Sequence, residues 1–234
     1  MAWGHAAMPL FSNVDLIALV WFFAAWIGYS IVVEMTPRGR TGLNGLMHRY
    51  RGLWMERMLA RDMRMMDAQV IAALQNGTAF FASTSLIALG GAVTLLHSTE
   101  DVLTIIAALP FGAAVRHSEW EMKVIGLIII FIYAFFKFAW SYRLYNYVAI
   151  MVGAAPPVAE KDSPEAQTFV RRSAAVITEA GRHFNRGQRA FFFALGYLGW
   201  FIGPLPLIVT TAAILVVMWR RQFASQSRRA VLGA

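Results

Sequence analysis

Tyr133, Lys137, Ser141 and Tyr145 recur at every fourth position of a single apolar run. At 3.6 residues per turn such positions stack on one helix face. A lysine at the centre of a membrane-spanning helix costs roughly 2.5 to 3.5 kcal/mol, so the face that carries it is expected to meet protein or a water-filled cavity. A second polar group, Gln75, Asn76, Thr78 and Ser83, interrupts another apolar run. Counted from the ends of the two runs, Asn76 and Lys137 fall at similar depth. The seven residues Tyr133, Lys137, Ser141, Gln75, Asn76, Thr78 and Ser83 therefore predict a polar, positively charged cavity suited to a small anionic solute. In the plainer alternative Lys137 snorkels to the headgroups, while the amide and hydroxyl groups bond neighbouring helices.

Other chemistry finds little support. The chain has no cysteine, which removes thiolate catalysis, disulfides and thiolate metal ligation. His5, His48, His97, His117 and His183 are scattered over tails and connections without four-residue pairing, so no metal and no haem are expected. Asp15, Glu34 and Asp67 all lie near the ends of apolar runs, and coupled transport usually needs a carboxylate inside the membrane. Ser83, Thr84 and Ser85 have no nearby base in the sequence, and Gly90-Gly91 is a packing pair. No catalytic residue, cofactor or enzymatic activity is expected.

The elements that must position these residues are helices. With 58% hydrophobic and 15% charged residues the chain fits a membrane better than a water-soluble surface. Spans are predicted at about 14–34, 69–97, 124–147 and 190–219, in a single multi-pass, all-α domain spanning 1–234, because about 20 apolar residues cross a hydrocarbon core of roughly 30 Å. The first is expected to stay as an uncleaved helix. Val102 to Val115, with Pro110, is too short to span and reads as interfacial or re-entrant. The last stretch carries Gly203-Pro204-Leu205-Pro206, which predicts either a kink in one continuing span or a re-entrant turn, the kink being preferred.

Between these runs lie basic connections, about 35–66 and 154–188. Each reads as an amphipathic helix on the membrane surface, the second started by Ser163-Pro164-Glu165. Arg49, Arg51, Arg57, Arg61, Arg64, Arg171 and Arg172 are expected to contact anionic headgroups or a protein partner, with Met55, Met58, Met63, Met65 and Met66 as an adaptable surface. With Arg189 at the edge of the second, the connections hold thirteen Lys and Arg, against Arg116 and Lys123 between the second and third spans. Positive-inside bias then places both in the cytoplasm and the N-terminus outside. The net charge of +8 reads as topology signal and lipid contact, with no nucleic-acid partner expected. Arg220, Arg221, Arg228 and Arg229 sit awkwardly, since a four-span path leaves them outside.

The strings Gln75-Asn-Gly-Thr-Ala-Phe-Phe-Ala-Ser-Thr-Ser85, Phe135 to Asn146 (FFKFAWSYRLYN) and Phe184-Asn-Arg-Gly187 resemble the bacterial membrane family catalogued as domain of unknown function 599. The likeness covers nearly the whole chain and implies a multi-pass inner-membrane protein, without an established activity. Two functions are expected from the residues themselves: an oligomeric, channel-like protein for a small anion, or a non-catalytic scaffold or accessory subunit of a larger membrane complex.

Overall fold

The computed structural model describes residues 10–108 and 116–233. Among them the chain forms α1 (Asn13–Met35), α2 (Pro37–Thr41), α3 (Leu43–Leu59), α4 (Met65–His97), α5 (Thr99–Ala107), α6 (His117–Gly153), α7 (Pro164–Tyr197), α8 (Pro204–Phe223) and α9 (Gln226–Leu232), with no strand. Four stretches are long and apolar enough to cross a membrane: α1, α4, α6 and Pro204–Leu232, which comprises α8 and α9. The protein is an all-α, multi-pass membrane protein.

Local signals account for the ends of these helices. Ser12 and Asp15 close a reciprocal capping box at the start of α1. Ser163 Oγ accepts from the Ala166 amide, with Pro164 at the first position of α7, as its sequence predicts. Thr36 stops α1, and the chain folds back so tightly that a Cβ on Gly39 would collide with the Val33 carbonyl. Only glycine permits this reversal.

Three long antiparallel helices form the frame. Gln75 of α4 donates to Asn146 of α6, Ser141 of α6 donates to the Ala180 carbonyl of α7, and Gly126 lies against Tyr197. Beside one end of this frame stand α1 and α8, which run parallel: Trp21 Nε1 donates to the Ile208 carbonyl and Tyr29 Oη to that of Met218. Their shared core contains Phe22, Ala134, Phe138, Phe193, Tyr197 and Leu207. The other end projects beyond the close of α1 by about 24 Å, taking the 16 residues from Lys137 to Gly153. There α3 packs along α7 and completes a second core with Met55, Met58, Ile71, Tyr145, Val148 and Ile177.

Three expectations are corrected here. First, the connection after α1 does not keep a free apolar face for the membrane: α3 packs along α7, and Met55 and Met58 are completely buried in protein. Each such side chain stabilises by about 1.5 to 3 kcal/mol, which a protein core supplies as well as a membrane surface. Second, 190–219 is not one kinked span. α7 runs unbroken from the second basic connection to Tyr197, the chain turns through Leu198–Phe201, and α8 returns antiparallel. Pro204 and Pro206 occupy the first turn of α8, where a missing N–H breaks no helical bond. Third, the tail lies with the first basic connection, since Arg228 Nε donates to the Thr41 carbonyl and Gln222 packs on Gly42. Trp120 meets Phe201 before α8 and Trp219 meets Phe223 at its close, so the two indoles stand at opposite ends. Trp3, Pro110 and the segment 109–115 lie outside the described residues.

Candidate anion-binding cavity

Glu34, at the last turn of α1, is the carboxylate on which α7 converges. Arg186 donates to it through Nε (2.9 Å) and Nη2, and Arg189 through Nη2. Arg189 is only 5% exposed, and its Nε has no hydrogen-bond partner among the described residues. Beside this pair opens a cavity of about 360 Å³, walled by Arg40, Asn44, His48 and Arg49 from α2 and α3 and by Arg182, Asn185 and Arg189 from α7. A smaller space of about 130 Å³ adjoins it across Asn44, Asn185 and Arg189, and is closed by Tyr29, Arg221 and Gln222. Gln222 is 5% exposed, and its Nε2 also lacks a partner among the described residues.

Across both spaces five arginines, Arg40, Arg49, Arg182, Arg189 and Arg221, line the walls with the single carboxylate Glu34, and Arg182 is also paired with Glu179 just outside them at 3.1 Å. Buried donors without partners are costly, and Arg189 Nε and Gln222 Nε2 are two such donors at one place. His48 completes the wall. Burial, reinforced by the charges of Arg51 and Arg182, pushes its imidazole down to about 4, and Arg51 Nη1 lies 2.9 Å from its Nδ1. A neutral histidine accepts at that nitrogen. The arrangement offers cationic forks and amide donors, the chemistry that binds a phosphate or carboxylate. Among the described residues no cluster of three His, Asp or Glu converges as a metal site.

The seven residues expected to form one cavity are dispersed. Ser141 is buried in the α6–α7 contact, bonded to the Ala180 carbonyl at 2.8 Å. Thr78 is buried and bonds its own helix at Leu74. Asn76 and Ser83 are exposed on α4. Gln75 pairs with Asn146, nine residues along α6 from Lys137, or about 13 Å. Lys137 stands 5.0 Å over the Tyr133 ring, next to Phe138, which meets Gly187. It therefore lies near the level of Glu34 and Arg186, where α1 ends.

The expected headgroup contacts divide as well. Arg49 lines the cavity. Arg51 packs on Gly181 beside His48, Arg61 pairs with buried Asp67 at 2.7 Å, and Arg64 donates to the Ala155 and Pro156 carbonyls. These three hold the projecting bundle together. Arg57, Arg171 and Arg172 are exposed about 20 Å or more along their helices from the α1 terminus, so they are remote from the ends of α1 and α8. The sequence reading missed Glu34, Arg186 and Arg189 as a unit. A signal was present: Arg182, Arg186 and Arg189 recur at helical spacing, directly before the charge-free run.

A helical membrane bundle with a basic cavity at one end defines the class. The chain belongs to the family described as protein of unknown function, DUF599, whose model matches residues 17–227. No curated protein and no solved structure matches it.

Proposed function

We propose that this is an oligomeric, channel-like protein of the bacterial inner membrane that receives a small anion in the cavity beside Glu34, Arg182 and Arg189. The observation that carries this reading is the pair of buried, unpartnered donors, Arg189 Nε and Gln222 Nε2, inside a wall of arginines. In this reading the second half of α7 is a fifth crossing, buried among α1, α6 and α8. Five crossings put the N-terminus outside and the tail inside, and Arg220, Arg221, Arg228 and Arg229 then join the other basic segments in the cytoplasm. The cavity faces the cytoplasm at the inner membrane surface. Since α7 fills the centre of one copy, passage across the bilayer runs between copies. The role is binding and conduction, not catalysis.

Calorimetric titration of the detergent-solubilised protein with inorganic phosphate tests the site. Replacing Arg49 and Arg182 by Gln removes two exposed forks and should weaken binding at least tenfold, since a hydrogen bond to a charged group is worth about 1.5 to 3 kcal/mol. No binding by the wild type, or none lost in the double variant, would reject it. Anion flux into liposomes tests conduction separately.

A second reading, a scaffold or accessory subunit, is favoured by the projecting bundle. It leaves Met66, Val70, Tyr147 and Ile150 exposed beyond the end of α1. Co-purification of a partner, lost in an Ile150→Glu variant, would support it.

A further inference from the structure

Between α1 and α6 the surface is hollow. α1 packs on α8 and touches α7, α6 packs on α4 and α7, and an apolar trough of about 390 Å³ opens between them with Tyr197 and Trp200 on its floor. A second space of about 380 Å³ continues along α1 to Glu34 and Met35, sharing Phe23, Trp26 and Tyr133 with the first. The continuation alone runs twelve helical rises from Phe23 to Met35, about 18 Å, slightly more than half of a roughly 30 Å hydrocarbon core. The apolar side chains along it, Phe23, Ile27 and Ile31, are exposed.

The trough has a charged end. Lys137 lies over the Tyr133 ring that lines both spaces, and it has no carboxylate within ion-pair distance among the described residues. Arg186 stands at the same level, engaged with Glu34 and, at 3.8 Å, with Glu179, so that Lys137, Arg186 and Arg189 still outnumber the two carboxylates. Glu34, the one carboxylate of the trough, is already shared between Arg186 and Arg189. The end is therefore net cationic, while the rest is hydrocarbon-like. That pattern matches one kind of molecule.

We propose that this trough is a specific site for an anionic glycerophospholipid of the cytoplasmic leaflet, its phosphate held by Lys137 and its acyl chain laid along α1 toward Phe23. The site is separate from the basic cavity, which lies on the other side of Glu34, and stands or falls independently of it. Lys137 reaches the headgroup because its aliphatic stem follows the aromatic surface of Tyr133, and the aromatic walls fix the chain.

Native mass spectrometry of the purified protein with phosphatidylglycerol or phosphatidylcholine tests the proposal. The wild type should retain phosphatidylglycerol preferentially. Lys137→Gln should reduce that preference by about fivefold, the share of one basic group near the surface, with an unchanged melting temperature in lipid-free detergent. Ile129→Trp, which fills the upper trough, should reduce retention of both lipids. An undiminished preference in Lys137→Gln would overturn the proposal. So would efficient crosslinking between two copies through Ile129→Cys in bilayers, which would make the trough a protein–protein interface.

Discussion

Glu34 collects two arginines from α7, and the consequences of losing it differ from those of losing an exposed ion pair. Glu34→Gln preserves the shape but leaves Arg189, almost fully buried, without a counter-charge. Breaking a buried pair from one side costs about 3 to 5 kcal/mol, and the partial exposure of Glu34 should bring this to about 2 kcal/mol. The melting temperature should fall, and inorganic phosphate should restore more of it than in the wild type, because an anion then replaces the missing charge. His48 gives a pH-dependent counterpart. Its folded pKa of about 4 lies below the unfolded value of 6.5, so it is neutral in the fold and its contribution is complete above about pH 6.5. That contribution is lost as pH falls toward 4, where the folded form also takes up the proton. Thermal melts between pH 8 and pH 4 should show this decline, and His48→Asn should flatten it.

At the scale of elements, α7 joins the two halves of the molecule, and small residues let its neighbours approach. A Cβ at Gly187 would lie 2.7 Å from the Phe138 ring, and one at Gly199 would strike Thr210 Oγ1. Gly187→Val should therefore destabilise by about 1 to 3 kcal/mol through overpacking. Adding Phe138→Leu should recover part of the loss, because the collision is with that ring. Equal destabilisation by Gly187→Val with and without Phe138→Leu would mean that the α6–α7 contact is not where the cost arises.

For the whole molecule, the reversal at Leu198–Phe201 decides on which side the chain finishes. The native chain has no cysteine, so single cysteines at Glu100, Lys161 and Ser227 report cleanly on sidedness. In the five-crossing arrangement Lys161 and Ser227 should label from the cytoplasm and Glu100 from outside. Labelling of Ser227 together with Glu100 would return the tail to the far side, as four crossings require.

Sequence alone determined the class of this protein, both ends of α1, the close of α4 and the start of α7. Apolar length and the Ser163-Pro164 cap are local quantities, written in consecutive residues. Arginine density needs no fold to be counted, but the sequence reading assigned those arginines to headgroups and placed its cationic cavity at Lys137 instead. Tertiary structure alone decided which polar residues meet. Lys137 and Asn76 seemed matched in depth because each was measured from the end of an apolar run, yet α4, α6 and α7 all run on past the end of α1 as a protein bundle. Apolar side chains buried in that bundle read, residue by residue, like side chains buried in lipid. The charge-free run 190–219 was ambiguous for the same reason. A helix enclosed by other helices needs no full lipid-facing length, so α7 and α8 fit where one span was counted, and only the packing of α7 at the centre distinguishes the two cases.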